Sequence, residues 1–65
     1  MNIEKMVNDD ISKWVQIRQK KGITQKAMAE ITGVSRGHIS NFERLKVNNM
    51  YLYNYYRKLF DEEEP

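Results

Sequence analysis

The chain has 65 residues, 40% of them hydrophobic and 31% charged, and a formal net charge of +2, which fits one small folded domain and not a disordered segment. It contains no cysteine and one histidine, which excludes a disulfide framework, a thiolate zinc site and any histidine-rich metal cluster. No apolar run approaches the ~20 residues of a membrane span. Met1-Asn2-Ile3-Glu4-Lys5 lacks the apolar core of a signal peptide, so a cytoplasmic protein is expected.

The charge is unevenly spread. Residues 1–10 carry Lys5 against Glu4, Asp9 and Asp10, giving −2, and residues 61–64 are Asp-Glu-Glu-Glu, giving −4. Residues 11–60 hold ten Lys or Arg against only Glu30 and Glu43, giving +8. A basic body between acidic ends points to a polyanionic partner, nucleic acid first, with plain solubility as the other explanation.

The only proline is Pro65, and the rest of the sequence shows helical rather than alternating periodicity, so the fold class expected is all-α. In chain order, the spacing of Ile11, Trp14, Val15 and Arg18 predicts a helix over 9–20, with Asp9 and Asp10 suited to its N-terminus and Gly22 to its stop. Ile3, Met6 and Val7 continue the same stripe, so the helix alternatively starts near Asn2 or follows a separate short one. Thr24 caps a second helix over 25–32, and Ser35 caps a third over 36–44, with Ile39 and Phe42 facing inward. Only Gly33 and Val34 separate the second helix from the cap of the third, which is the spacing of a helix-turn-helix unit. Asn48 or Asn49 caps a fourth helix over 50–60, and residues 61–65 form an acidic tail.

The run from Ile23 to Arg44 resembles the lambda-repressor-like (Cro/cI, XRE-type) helix-turn-helix family. The Thr24-Gln25 opening, the small Ala29, the Gly33-Val34-Ser35 turn and the Ile39-Ser40-Asn41-Phe42-Glu43-Arg44 close carry the likeness. With the end of the first helix, it covers about Ile11 to Phe60. The resemblance implies a four- to five-helix bundle forming one domain over residues 1–65. It also implies that the third helix enters the major groove of double-stranded DNA. At 100° per residue, Gly37, Ser40, Asn41 and Arg44 lie opposite Ile39 and Phe42, with Arg36 at the leading edge.

Carried over, the base-reading positions are Arg36, Gly37, Ser40 and Asn41. Arg36 suits guanine and Asn41 suits adenine, whereas Gly37 has no side chain to read with. Phosphate contacts are expected from Gln25, Ser35, His38, Arg44, Lys46, Asn48 and Asn49. Glu43, one of only two acids in the basic body, is expected to pair with Arg18 as an internal salt bridge. The family often has glycine where this chain has Leu45, so a differently shaped exit from helix three is expected.

The family usually has a fifth helix that this chain lacks. Either Ile3, Met6 and Val7 cover the fourth helix, or Tyr51, Tyr53, Tyr55, Tyr56 and Phe60 pair across a dimer two-fold, with a palindromic operator as the consequence. The function expected is a small prokaryotic or phage transcriptional regulator, a repressor in role and not an enzyme, since no acid orients His38 for catalysis with Ser35 or Ser40. No cofactor, metal, membrane or small-molecule ligand is expected. The alternatives are an antitoxin- or anti-repressor-like interaction module on the same fold, or the N-terminal domain of a longer regulator.

Overall fold

α1 spans Ile3–Lys20 and is the longest element of the computed structural model, which describes residues 3–61. It starts six residues before position 9, in line with the alternative of a start near Asn2, which itself lies outside the described residues. The two aspartates sit inside the helix because the apolar stripe Ile3, Val7, Ile11, Trp14 runs through them without a breaker. Asp9 meets Lys5 one turn back, and Asp10 accepts the Tyr53 hydroxyl at 2.9 Å. The helix ends where Gly22 turns left-handed (φ 75°), with Gly22 N–H on Gln19 O and Ile23 N–H on Arg18 O, both 3.0 Å. This is the paired-bond termination that glycine makes without strain.

α2 covers Gln25–Thr32 and α3 covers Arg36–Glu43. Thr24 accepts the Ala27 N–H and Ser35 accepts the His38 N–H, so each side-chain oxygen satisfies a donor that helix geometry leaves orphaned. Between them Gly33 adopts φ 76°, and its N–H closes α2 on Ala29 O at 2.9 Å. A Cβ on Gly33 would meet nothing within 4 Å, so only the backbone conformation demands glycine there. Gly33→Ala should therefore cost about 1 kcal/mol. Thermal unfolding followed by circular dichroism would show this as a melting point lower by ~4–8 °C.

α4 covers Met50–Phe60, and its cap is Asn49, whose Oδ1 accepts the Leu52 N–H at 3.0 Å. The core lies between α1, the α2–α3 pair and α4, and comprises Ile11, Trp14, Met28, Ile39, Phe42, Leu52, Tyr56 and Phe60. Each such side chain contributes roughly 1.5–3 kcal/mol on burial, a large share of what a domain of this size has. Among the described residues there are four helices and no strand.

The burial of Tyr56 and Phe60 corrects the expected tyrosine interface. They are 0% and 2% exposed and stack edge-on with each other at 5.7 Å, so neither can face a partner. Tyr53 packs edge-on against Trp14 at 5.0 Å and is tied to Asp10, and burial foremost, then that bond, raises its pKa above the ordinary 10.0. Tyr51 and Tyr55 direct their hydroxyls onto Thr32 O (2.7 Å) and Ile31 O (3.2 Å), closing the C-terminal turn of α2. Of Ile3, Met6 and Val7, the alternative cover for the fourth helix, only Val7 packs against the core, while Ile3 is 67% and Met6 49% exposed.

Candidate nucleic-acid interface

α3 is held from behind and open in front. Ile39 and Phe42 are 0% and 1% exposed, while Arg36, Gly37, Asn41 and Arg44 all face solvent. Ser40 is half-buried at the margin of that outward face. The inner face is fixed further by Glu43, whose side chain is only 4% exposed. Its Oε2 accepts Arg18 Nε at 2.8 Å and the Tyr56 hydroxyl at 2.6 Å; its Oε1 accepts Arg18 Nη2 at 2.9 Å and Gln25 Nε2 at 3.1 Å. A carboxylate has about four acceptor positions, and here all are used.

That arrangement joins all four helices through one side chain: Arg18 from α1, Gln25 from α2, Glu43 from α3 and Tyr56 from α4. Arg18 also donates Nη1 to Ile23 O at 2.6 Å, locking the end of α1 to the start of the helix-turn-helix. Burial first, and then the bond to the Glu43 carboxylate, pushes the Tyr56 hydroxyl pKa far above the usual tyrosine value, so it is a permanent donor. The sequence pointed to Arg18 and Glu43 but not to Tyr56. The available signal was valence: a buried carboxylate that must face the core needs more donors than one guanidinium supplies.

Gln25 stands at the first position of α2 with its amide nitrogen turned inward, so one N–H of the amide is left to point elsewhere. The first bond of that helix runs from Met28 N–H to Thr24 O, leaving the Gln25 and Lys26 amides beyond the ladder. Ser35 is exposed at the start of α3, its oxygen accepting the His38 amide. His38 and Asn49 meet each other: Asn49 Nδ2 donates to His38 Nε2 at 2.9 Å, which requires the Nδ1–H tautomer. Oδ1 of Asn49 caps α4 and one Nδ2 hydrogen goes to His38, so its second Nδ2 hydrogen is left for the expected phosphate contact. Lys46 and Asn48 remain exposed in the connecting loop.

Leu45 gives a second correction. It adopts φ 64°, the only positive φ at a non-glycine position among the described residues. Leu45 N–H bonds Phe42 O at 3.1 Å and Lys46 N–H bonds Asn41 O at 2.9 Å, the same paired termination that Gly22 makes. The exit from α3 therefore keeps the glycine-type geometry, because those two bonds outweigh the cost of a left-handed leucine.

Gly37 is helical and a Cβ on it would meet nothing within 4 Å, so the fold itself has no need of glycine there. Gly37→Ala should stabilise the isolated protein by ~0.5–1 kcal/mol, read as a higher melting point. If the backbone at Gly37 approaches DNA closely, the same variant should bind duplex more weakly despite being more stable.

A two-helix unit with a capped, outward-facing second helix and a basic surround defines a helix-turn-helix DNA-binding protein. The helix-turn-helix family model matches residues 16–48, about half of the chain, and the protein belongs to that family, of the XRE or lambda-repressor-like type. No curated protein and no solved structure matches the chain significantly. Membership makes it a DNA-binding regulator that acts on double-stranded DNA. Among the described residues no helix is long and apolar enough to cross a membrane, and no group of His, Cys, Asp or Glu is placed to hold a metal ion.

Proposed function

We propose that this protein is a transcriptional repressor of prokaryotic or phage type, working in the cytoplasm by occupying a palindromic operator as a homodimer. The observation that carries the reading is the outward face of α3, where Arg36, Gly37, Asn41 and Arg44 are exposed on a helix whose inner face is locked. Arg36 pairs bidentately with guanine and Asn41 with adenine, while Ser40 and Gly37 bring the backbone near the base edges. Gln25, Ser35, His38, Arg44, Lys46, Asn48 and Asn49 hold the flanking phosphates and so set the register of α3 in the groove.

Titration with duplex DNA at two salt concentrations tests the reading. Affinity should fall steeply, by about 0.9 log units per phosphate contact for each log unit of salt. Binding that is absent, or indifferent to salt, would instead support a protein-interaction module on the same fold.

A further inference from the structure

The first turn of α3 and the N-terminus of α4 are tied together by His38 and Asn49, which stand 11 residues apart in the chain. The direction of each bond follows from its chemistry. Leu52 N–H can only donate, so the Asn49 atom that meets it at 3.0 Å is Oδ1, and the amide has a single orientation. Its NH2 group then faces His38 Nε2 at 2.9 Å. An NH2 group also only donates, so Nε2 carries the lone pair and the ring proton sits on Nδ1. A doubly protonated ring would set donor against donor across that contact. On the other side, the His38 backbone N–H is held by Ser35 Oγ at 3.2 Å, within the cap of α3. The cap of one helix thus selects the tautomer of a histidine on another.

We propose that Asn49 is a positioning residue for DNA binding that acts through His38 in two ways. It makes the imidazole a neutral donor, whose Nδ1–H meets a backbone phosphate. It also latches the loop of residues 45–48 to α3. That loop presents Lys46 and Asn48, both exposed, so the latch fixes the phosphate-contacting groups relative to the base-reading face of α3. Without the latch the loop has to be ordered when DNA binds, and ordering lowers affinity. The role rests on the operator-binding reading, and it leaves the direct contact of Asn49 in place, since the amide has two hydrogens and His38 takes one. Direct contact and positioning differ in one respect: only positioning depends on the presence of His38.

Duplex titration of the full chain and its variants, with proton–nitrogen correlation NMR of the imidazole, tests this. Asn49→Ser keeps a good N-cap for α4, so the fold should persist, which circular dichroism checks, but serine is too short to reach His38. Asn49→Ser and His38→Phe should each lower duplex affinity about tenfold. Combined, they should lose little more than the larger single loss, because the two side chains act as one unit. His38→Gln offers an acceptor and a donor but never a charge, so it should bind within roughly threefold of the wild type. A neutral donor neutralises no phosphate, so His38→Gln should also leave the salt dependence unchanged. In the free wild type the ring proton should sit on Nδ1, and Asn49→Ser should lose that preference. Losses that multiply in the double variant overturn the proposal. So does a salt dependence reduced by about one contact in His38→Gln, or a wild-type ring protonated on Nε2. Any of these in a wild type that still binds duplex with steep salt dependence would overturn the positioning role alone, whereas a wild type that binds no duplex would overturn the operator reading and this role with it.

Discussion

Glu43→Ala should cost the protein about 3–5 kcal/mol of stability. The substitution leaves Arg18, whose side chain is 7% exposed, as a buried cation without its carboxylate, and it orphans the Tyr56 hydroxyl and one Gln25 N–H. Breaking one side of a buried pair costs about 3–5 kcal/mol. A domain of this size has a total of roughly 3–10 kcal/mol, so the substitution removes from about a third of it to all of it. Replacing the whole network with apolar groups should behave differently, because the desolvation cost of the ions disappears with them. Arg18→Met, Glu43→Leu and Tyr56→Phe combined should recover most of the lost stability. Urea denaturation of both variants distinguishes the cases, and a loss below about 1 kcal/mol for Glu43→Ala would mean that the network does not hold the helices together.

The second large effect concerns recognition. Asn41→Ala and Arg36→Ala should each lower operator affinity by about 1–3 kcal/mol and relax preference at one base position. Both side chains are exposed, so neither variant should change the melting point appreciably. Lys46→Ala, by contrast, should weaken all duplex sequences alike and reduce the salt dependence by about one contact. Affinity for a panel of single-base operator variants separates the two behaviours. Uniform loss from Asn41→Ala would mean that this side chain touches backbone and not bases.

The helix-turn-helix was legible in the sequence because its signals are local: Thr24, Gly33 and Ser35 each act on backbone groups within a few residues of themselves. The start of α1 was not legible, since Asp9 and Asp10 are good capping residues in any context. Only tertiary contacts, with Tyr53 on Asp10, show that they lie mid-helix. The fourth helix was ambiguous for a related reason. Periodicity identifies an apolar stripe but not whether it meets its own core or a second molecule. Tyr56 and Phe60 turned inward, while the exposed apolar residues gathered at Ile3, Leu45 and Met50, which come from distant parts of the chain. Leu45 was read from its residue type as a change of shape, whereas the backbone bonds around it preserved the shape and strained the residue instead. The Arg18–Glu43 pairing is implied by the family likeness; the bonds of Glu43 to Gln25 and Tyr56 depend on four helices meeting at one point, which no local pattern encodes.

The central claim is that the outward face of α3 reads a specific duplex sequence, and selection of bound sequences from a random duplex pool tests it most directly. The wild type should enrich a discrete, two-fold symmetric motif, and Asn41→Ala should lose preference at one symmetry-related pair of positions within it. Enrichment of no motif by the wild type, or an identical motif from Asn41→Ala, would contradict it.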